Sequence, residues 1–213
     1  MTQTTKTTRP GSATKRAAIL SAARQLFIRN GVDRTSMDSV ARHANVSKRT
    51  VYDYYGDKRG LLLGVIEESG EALLASLRAG IDAHLSDDTK ISDISDLEAA
   101  LTAFAMQAGA SLVESSDYSA TVKLISENAA ALPELEDHPL DRAHREVLAE
   151  RFAHFAERGM LDIDDPQLAA DQFNALTTLL AYTDRQGESL SAARVATIMR
   201  SGVRTFVRAY ARP

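Results

Sequence analysis

The chain has 213 residues, 44% of them apolar and 25% charged, with a formal net charge of −4 and no cysteine. That is enough for one large helical domain, or a small domain beside a larger one, and too apolar for a disordered chain. Disulfides, thiolate chemistry and sulfur-ligated metals are excluded, and with neither a signal-peptide stretch nor a bilayer-spanning run the protein is expected in the cytoplasm, away from membranes.

Residues 1–13 are rich in Thr, Ser and Lys and contain Pro10-Gly11, and are predicted to form a disordered basic arm. Ile19, Ala22, Ala23, Leu26 and Phe27 then recur at helical spacing, with Gly31 as the stop. Thr35 and Ser36 stand where an N-cap belongs, ahead of Met37, Val40, Ala41 and Ala44. Asn45-Val46 breaks that helix, and Ser47 caps the next, whose inward positions are Val51 and Tyr55. After Gly56-Asp57, apolar residues from Leu61 through Leu73, Leu77 and Ile81 to Leu85 mark one long helix of about seven turns.

Residues 86–96 are polar and predict a surface loop. Helical patterns resume with Leu97, Leu101, Phe104, Ala105, Ala108 and Leu112, then over about 118–130 with Val122, Ile125 and Ala129. Pro133 and Pro139 bracket a loop, and a helix from about 139 to Gly159 carries Val147, Leu148, Phe152 and Phe155. Asp165 as N-cap and Pro166 in the first turn open another, and a last helix spans about 191–211. No segment alternates with period two long enough to be a strand. The prediction is an all-α fold of about nine helices: the arm, a small head over 14–57 and a larger body over 58–213.

Residues 36–55 carry the strongest signal. Two short helices joined by a tight turn describe a helix-turn-helix, whose second helix lies in a DNA major groove. Ala41 and Ala44 are small where the two helices cross, and Asn45 sits where the turn requires a positive φ, which Asn tolerates best after Gly. The outward face of the second helix, with Lys48, Arg49, Thr50, Tyr52 and Tyr54, offers donors for guanine edges and phosphates. Charge agrees. Residues 1–60 hold 12 of the 25 basic groups and 4 of the 29 acidic ones, a net +8, leaving −12 on the remainder.

From about residue 14 to 66, through A-R-H-A-N-V-S-K-R-T-V-Y-D-Y-Y-G-D-K-R-G-L-L, the chain resembles the tetracycline-repressor (TetR) family of bacterial regulators. Asn45 stands for the family's usual Gly, Tyr55 for its usual Phe, and Gly60 is a weaker helix former than the residues common there, by about 1 kcal/mol. The resemblance implies that Lys48, Arg49, Thr50 and Tyr52 face bases and sugars of double-stranded operator DNA, while Thr35, Ser36, Tyr54 and Lys58 hold phosphates. It further implies a body that binds a small effector and forms a homodimer through its last two helices, D-D-P-Q-L-A-A-D-Q-F (164–173) looking like the start of the penultimate one. Val195, Ile198, Met199, Gly202, Phe206 and Tyr210 make the apolar stripe assigned to that dimer seam.

For the effector, polar residues among apolar ones mark the candidate lining: Phe104, Gln107, Asn128, Phe152, Phe155, Asn174, Thr178 and Tyr182. With no clustered Arg among them, a neutral, largely apolar molecule that releases a repressor from a palindromic operator is the expectation. An architectural or partner-binding protein with the same head and no inducer is the alternative. His138, His144 and His154 fall on different helix faces, and no catalytic motif, metal site or cofactor site is expected.

Overall fold

The computed structural model describes residues 10–114, 124, 128, 132, 139–183 and 191–212. They form α1 (Pro10–Asn30), α2 (Met37–His43), α3 (Lys48–Tyr55), α4 (Lys58–His84), α5 (Ile94–Glu114) and α6 (Pro139–Glu157). α7 (Pro166–Asn174) and α8 (Leu180–Thr183) flank a π-helical turn, Ala175–Leu179, and α9 (Ala192–Tyr210) follows. Among these residues there is no strand, only a bridge between Leu161 and Ala211. The helix expected over 118–130 lies outside the described residues apart from Leu124 and Asn128.

α1 begins at Pro10, so residues 10–13, read as part of the arm, are helical. A proline in a first turn lacks only an N–H that the helix leaves unused, so Pro10-Gly11 opens the helix rather than interrupting the chain. α5 likewise starts three residues before Leu97, where the Asp93 carboxylate accepts from the Asp96 N–H at 2.9 Å. By compactness the chain divides into two units within α4, between Ser69 and Gly70, with residues 120–132 grouped with the first.

In the first unit, local signals set each turn. Ser36 caps α2, its hydroxyl accepting from the Ser39 N–H while the Ser39 hydroxyl accepts from the Ser36 N–H. Asn45 adopts the left-handed φ of 53° expected for the turn, and the Val46 N–H reaches the Ala41 carbonyl at 3.0 Å. Ser47 caps α3 through the Thr50 N–H, and Gly56 ends it at φ 72°. Ile19, Ala23, Phe27, Val40, Val51, Leu61 and Val65, all buried, fill the space between the helices. Gly60 has a reason to be there. A Cβ on it would stand 2.2 Å from the Tyr55 carbonyl oxygen, so the residue lets α3 run directly into α4.

Tyr55 packs inward as expected, and its buried hydroxyl has no hydrogen bond of good geometry, although the Arg16 guanidinium lies near enough to interact with it. Burial pushes the phenol pKa up, and the nearby Arg16 guanidinium offsets only part of the rise. Tyr55→Phe removes a buried hydroxyl that lacks a well-formed hydrogen bond, so it should stabilise the first unit by about 1 kcal/mol. A rise in the denaturant midpoint at unchanged slope checks this; a fall would show that the hydroxyl has a partner worth keeping.

In the second unit, α9 packs on α5 and on the π-helical turn. Its Ser191 cap accepts from the Arg194 N–H, and Asp165 caps α7 as expected, accepting from the Gln167 and Leu168 N–H groups at 3.0 Å each. Phe152, Phe173 and Phe206 form a mutually packed triad with centroids 4.8–5.5 Å apart, extended by Phe104 and Tyr210. Beyond α6, the Asp162 N–H bonds to the Tyr210 carbonyl and the Arg212 N–H to that of Met160, which ties down the end of α9.

Candidate nucleic-acid interface

α3 presents its charged and aromatic side chains outward because Val51 anchors the opposite face at zero exposure. Lys48 pairs with Asp38 of α2 at 2.8 Å, and its ammonium lies 5.9 Å from the centre of the Tyr52 ring. The hydrogen bond to Asp38 holds the Lys48 pKa above the usual lysine value. Arg49 reaches Asp53 one turn on at 3.7 Å. Thr50 shares a hydroxyl contact with Ser47 at 2.7 Å, and Tyr52 is 42% exposed, a large ring on a polar helix with little of the protein against it.

The candidate phosphate contacts fare differently. The Ser36 side chain is exposed, and its hydroxyl proton stays free to donate while its oxygen caps α2. Tyr54 shares a hydroxyl contact with Ser12 of α1 at 2.7 Å, which ties the end of α3 to the first turn of α1. Thr35 does not belong to the surface: it is buried at 3% exposure, and its hydroxyl donates to the carbonyls of Gly31 (2.8 Å) and Leu26 (3.2 Å). It closes the α1–α2 turn. Lys58 also departs from the expectation, since its ammonium donates to the Val32 and Asp33 carbonyls at 2.9 and 3.0 Å and staples the same turn to the start of α4. At most one N–H of Lys58 is left for a phosphate.

The stripe assigned to the dimer seam is used within the chain. Val195, Ile198, Met199 and Phe206 are at most 5% exposed, Gly202 is buried, and Tyr210 packs on Phe206 while its hydroxyl and the Gln172 amide oxygen are hydrogen-bonded. A Cβ on Gly202 would sit 2.2 Å from the Leu176 carbonyl oxygen, so the glycine lets α9 approach the π-helical turn closely. The sequence pattern also missed the opposite feature. Leu168, Leu179 and Leu180 are 51%, 49% and 46% exposed, three of the six large apolar side chains exposed among the described residues.

The candidate effector lining is only partly brought together. Phe104 and Phe152 both meet Phe173, whereas Phe155 is buried beside His154 and Arg151. Gln107 is exposed and bonded to His84 at 2.8 Å, Asn174 is exposed, and Thr178 is half-buried. The Asn128 amide donates to the Leu124 carbonyl one turn back, and the residue groups with the first unit. The Tyr182 side chain lies outside the described residues. No helix of the described residues is long and apolar enough to cross a membrane.

Comparison with known proteins bears on both units. Residues 19–65 match the family described as bacterial regulatory proteins, tetR family, and residues 99–212 match the AefR-like transcriptional repressor C-terminal domain. A DNA-binding transcriptional repressor TetR of Mycobacteroides abscessus is 31% identical over 157 residues, 72% of this chain and 66% of that one. The match thus spans just under two thirds of the repressor's own length. Among solved structures, a TetR-family regulator from Mesorhizobium loti superposes with a TM-score of 0.79 at 24% identity, over 95% of this chain and 100% of its own. A flavonoid-responsive regulator, FrrA, superposes with a TM-score of 0.67 at 25% identity, over 93% and 98%.

Proposed function

The chain belongs to the tetR family of bacterial regulatory proteins, a transcriptional regulator with a helix-turn-helix and not an enzyme, and from that premise we propose a dimeric repressor released from a palindromic operator by a small apolar ligand. The observation that carries the DNA reading is α3: a capped, anchored helix whose outward face is Lys48, Arg49, Thr50 and Tyr52. Ser36 and Tyr54 flank it as phosphate contacts, with Lys58 acting mainly by holding the α1–α2 turn. An exposed tyrosine ring on a polar helix suits a thymine methyl or a sugar, and each such base contact is worth roughly 1–3 kcal/mol of discrimination. Tyr52→Ala should therefore weaken operator binding by roughly 10- to 100-fold while the helical circular dichroism stays intact. Full operator affinity in that variant would sink the assignment.

For the second copy we assign the outward side of the penultimate helix, with Leu168, Leu179 and Leu180, in place of the stripe on α9. Half-exposed leucines grouped on one helical segment are what a closed two-fold contact buries.

For the ligand, the support is the likeness to a regulator described as flavonoid-responsive; Phe104, Phe152, Phe173 and Phe206 pack on one another in the core, so a flat aromatic molecule would have to part these rings to enter among them. A ligand releases DNA only if it binds the DNA-incompetent arrangement better, and a 100-fold effect on operator affinity requires about 2.7 kcal/mol of coupling. Linkage is reciprocal, so saturating operator must weaken the ligand by the same factor. Calorimetric titration of a flavonoid panel with and without operator reads this directly. A flavonoid bound equally in both titrations is not an inducer.

A further inference from the structure

We propose that Asp38 is a specificity-determining residue: it positions Lys48 so that each recognition helix discriminates at one base pair, an inference that rests on the DNA-binding reading above. Residues 1–60 carry only four acidic residues, namely Asp33, Asp38, Asp53 and Asp57. Two of these four stand against the two cations of α3, Asp38 on Lys48 at 2.8 Å and Asp53 on Arg49 at 3.7 Å. A carboxylate on a surface that meets a polyanion lowers affinity for every sequence alike, so two of them beside the recognition cations work against general binding.

Asp38 is not needed to cap α2. That task is met by Ser36 and Ser39, whose hydroxyls satisfy each other's N–H groups. Asp38 instead reaches across to α3, where Lys48 sits between its carboxylate and the face of the Tyr52 ring. An unrestrained lysine is a point charge on a flexible stem and follows whichever phosphate is near. One held at two sides keeps its remaining N–H donors in a single place, where a guanine O6 and N7 can be met and a base lacking those acceptors cannot. Neutralising the cation in the free protein also removes one counterion-releasing contact per subunit from non-specific binding.

The experiment uses the full chain, unaltered and as Asp38→Asn, Asp38→Glu and Lys48→Met, to select from a library of randomised duplexes. Affinities are then measured for the enriched duplex and for a scrambled one over a range of salt. Asp38→Asn should lose preference at one base-pair position per half-site by about tenfold and leave the other positions unchanged. Affinity for the scrambled duplex should rise at least about threefold, with the salt slope steeper by about one per subunit. Lys48→Met should lose preference at the same position, and Asp38→Glu, which keeps the carboxylate, should retain it. An equal rise at every position would overturn the proposal and leave Asp38 as a distant charge. Parallel loss on both duplexes with a lowered melting temperature would overturn it in favour of a structural role in α2. If the unaltered protein enriches no sequence at all, the DNA reading fails and takes the proposal with it.

Discussion

Phe206→Glu should unfold the body of the protein rather than split a dimer. The ring has zero exposure and packs against Phe152 at 4.8 Å, Phe173 at 5.2 Å and Tyr210 at 4.8 Å. Truncating a buried phenylalanine costs about 3–5 kcal/mol, and an unpaired carboxylate left in its place adds several more. That sum is comparable to the whole stability of a typical domain, about 5–15 kcal/mol. The variant should lose its cooperative thermal transition and much of its helical circular dichroism, while Phe206→Leu, which keeps the site apolar, should remain folded with a lowered midpoint. A Phe206→Glu protein that is fully helical and sediments as a monomer would return α9 to the seam.

That reassignment shows where the sequence was legible and where it was not. The helix-turn-helix could be read residue by residue because its signals are local: Ser36 and Ser47 accept from N–H groups three residues on, Gly56 ends α3, and Asn45 takes the left-handed turn. An apolar stripe is also local, but its partner is not. Val195 to Phe206 had to be buried, and nothing in their spacing says whether the covering surface is α5 and the π-helical turn or a second chain.

The π turn hid the other surface. Leu168 and Leu179, eleven residues apart, fall on one face of a regular helix, but an apolar face reads as inward by default, and the π turn at Ala175–Leu179 buries Phe173 and Thr177 while leaving Leu179 and Leu180 outside. Thr35 and Lys58 were misplaced for a related reason. Each is a donor beside the helix-turn-helix, and composition cannot say that the acceptors are the protein's own carbonyls. Asp38 was invisible until α2 and α3 were folded against each other, because its partner lies ten residues away on another helix. Glycines carried a similar ambiguity: Gly60 looked like a weak helix residue until the Tyr55 carbonyl was found against it.

Replacing Leu179 and Leu180 together by Glu should give a folded monomer with a collapsed affinity for a two-half-site operator. Both side chains are about half exposed, at 49% and 46%, so a single chain loses little packing when they become charged. In a closed two-fold contact the same patch meets itself, so each substitution acts twice and four carboxylates are brought together where none stood before. Burying even one of them unpaired costs several kcal/mol, enough to dissociate a dimer at micromolar concentration. A monomer must then hold the operator with one recognition helix. Affinity for a duplex bearing one half-site should be unchanged, while the advantage of a second half-site 34–36 Å away, about the spacing that two linked recognition helices require, should disappear. Sedimentation equilibrium and titration of the two duplexes separate these effects. A variant that stays dimeric at low micromolar concentration and still prefers the paired site would place the seam on another face.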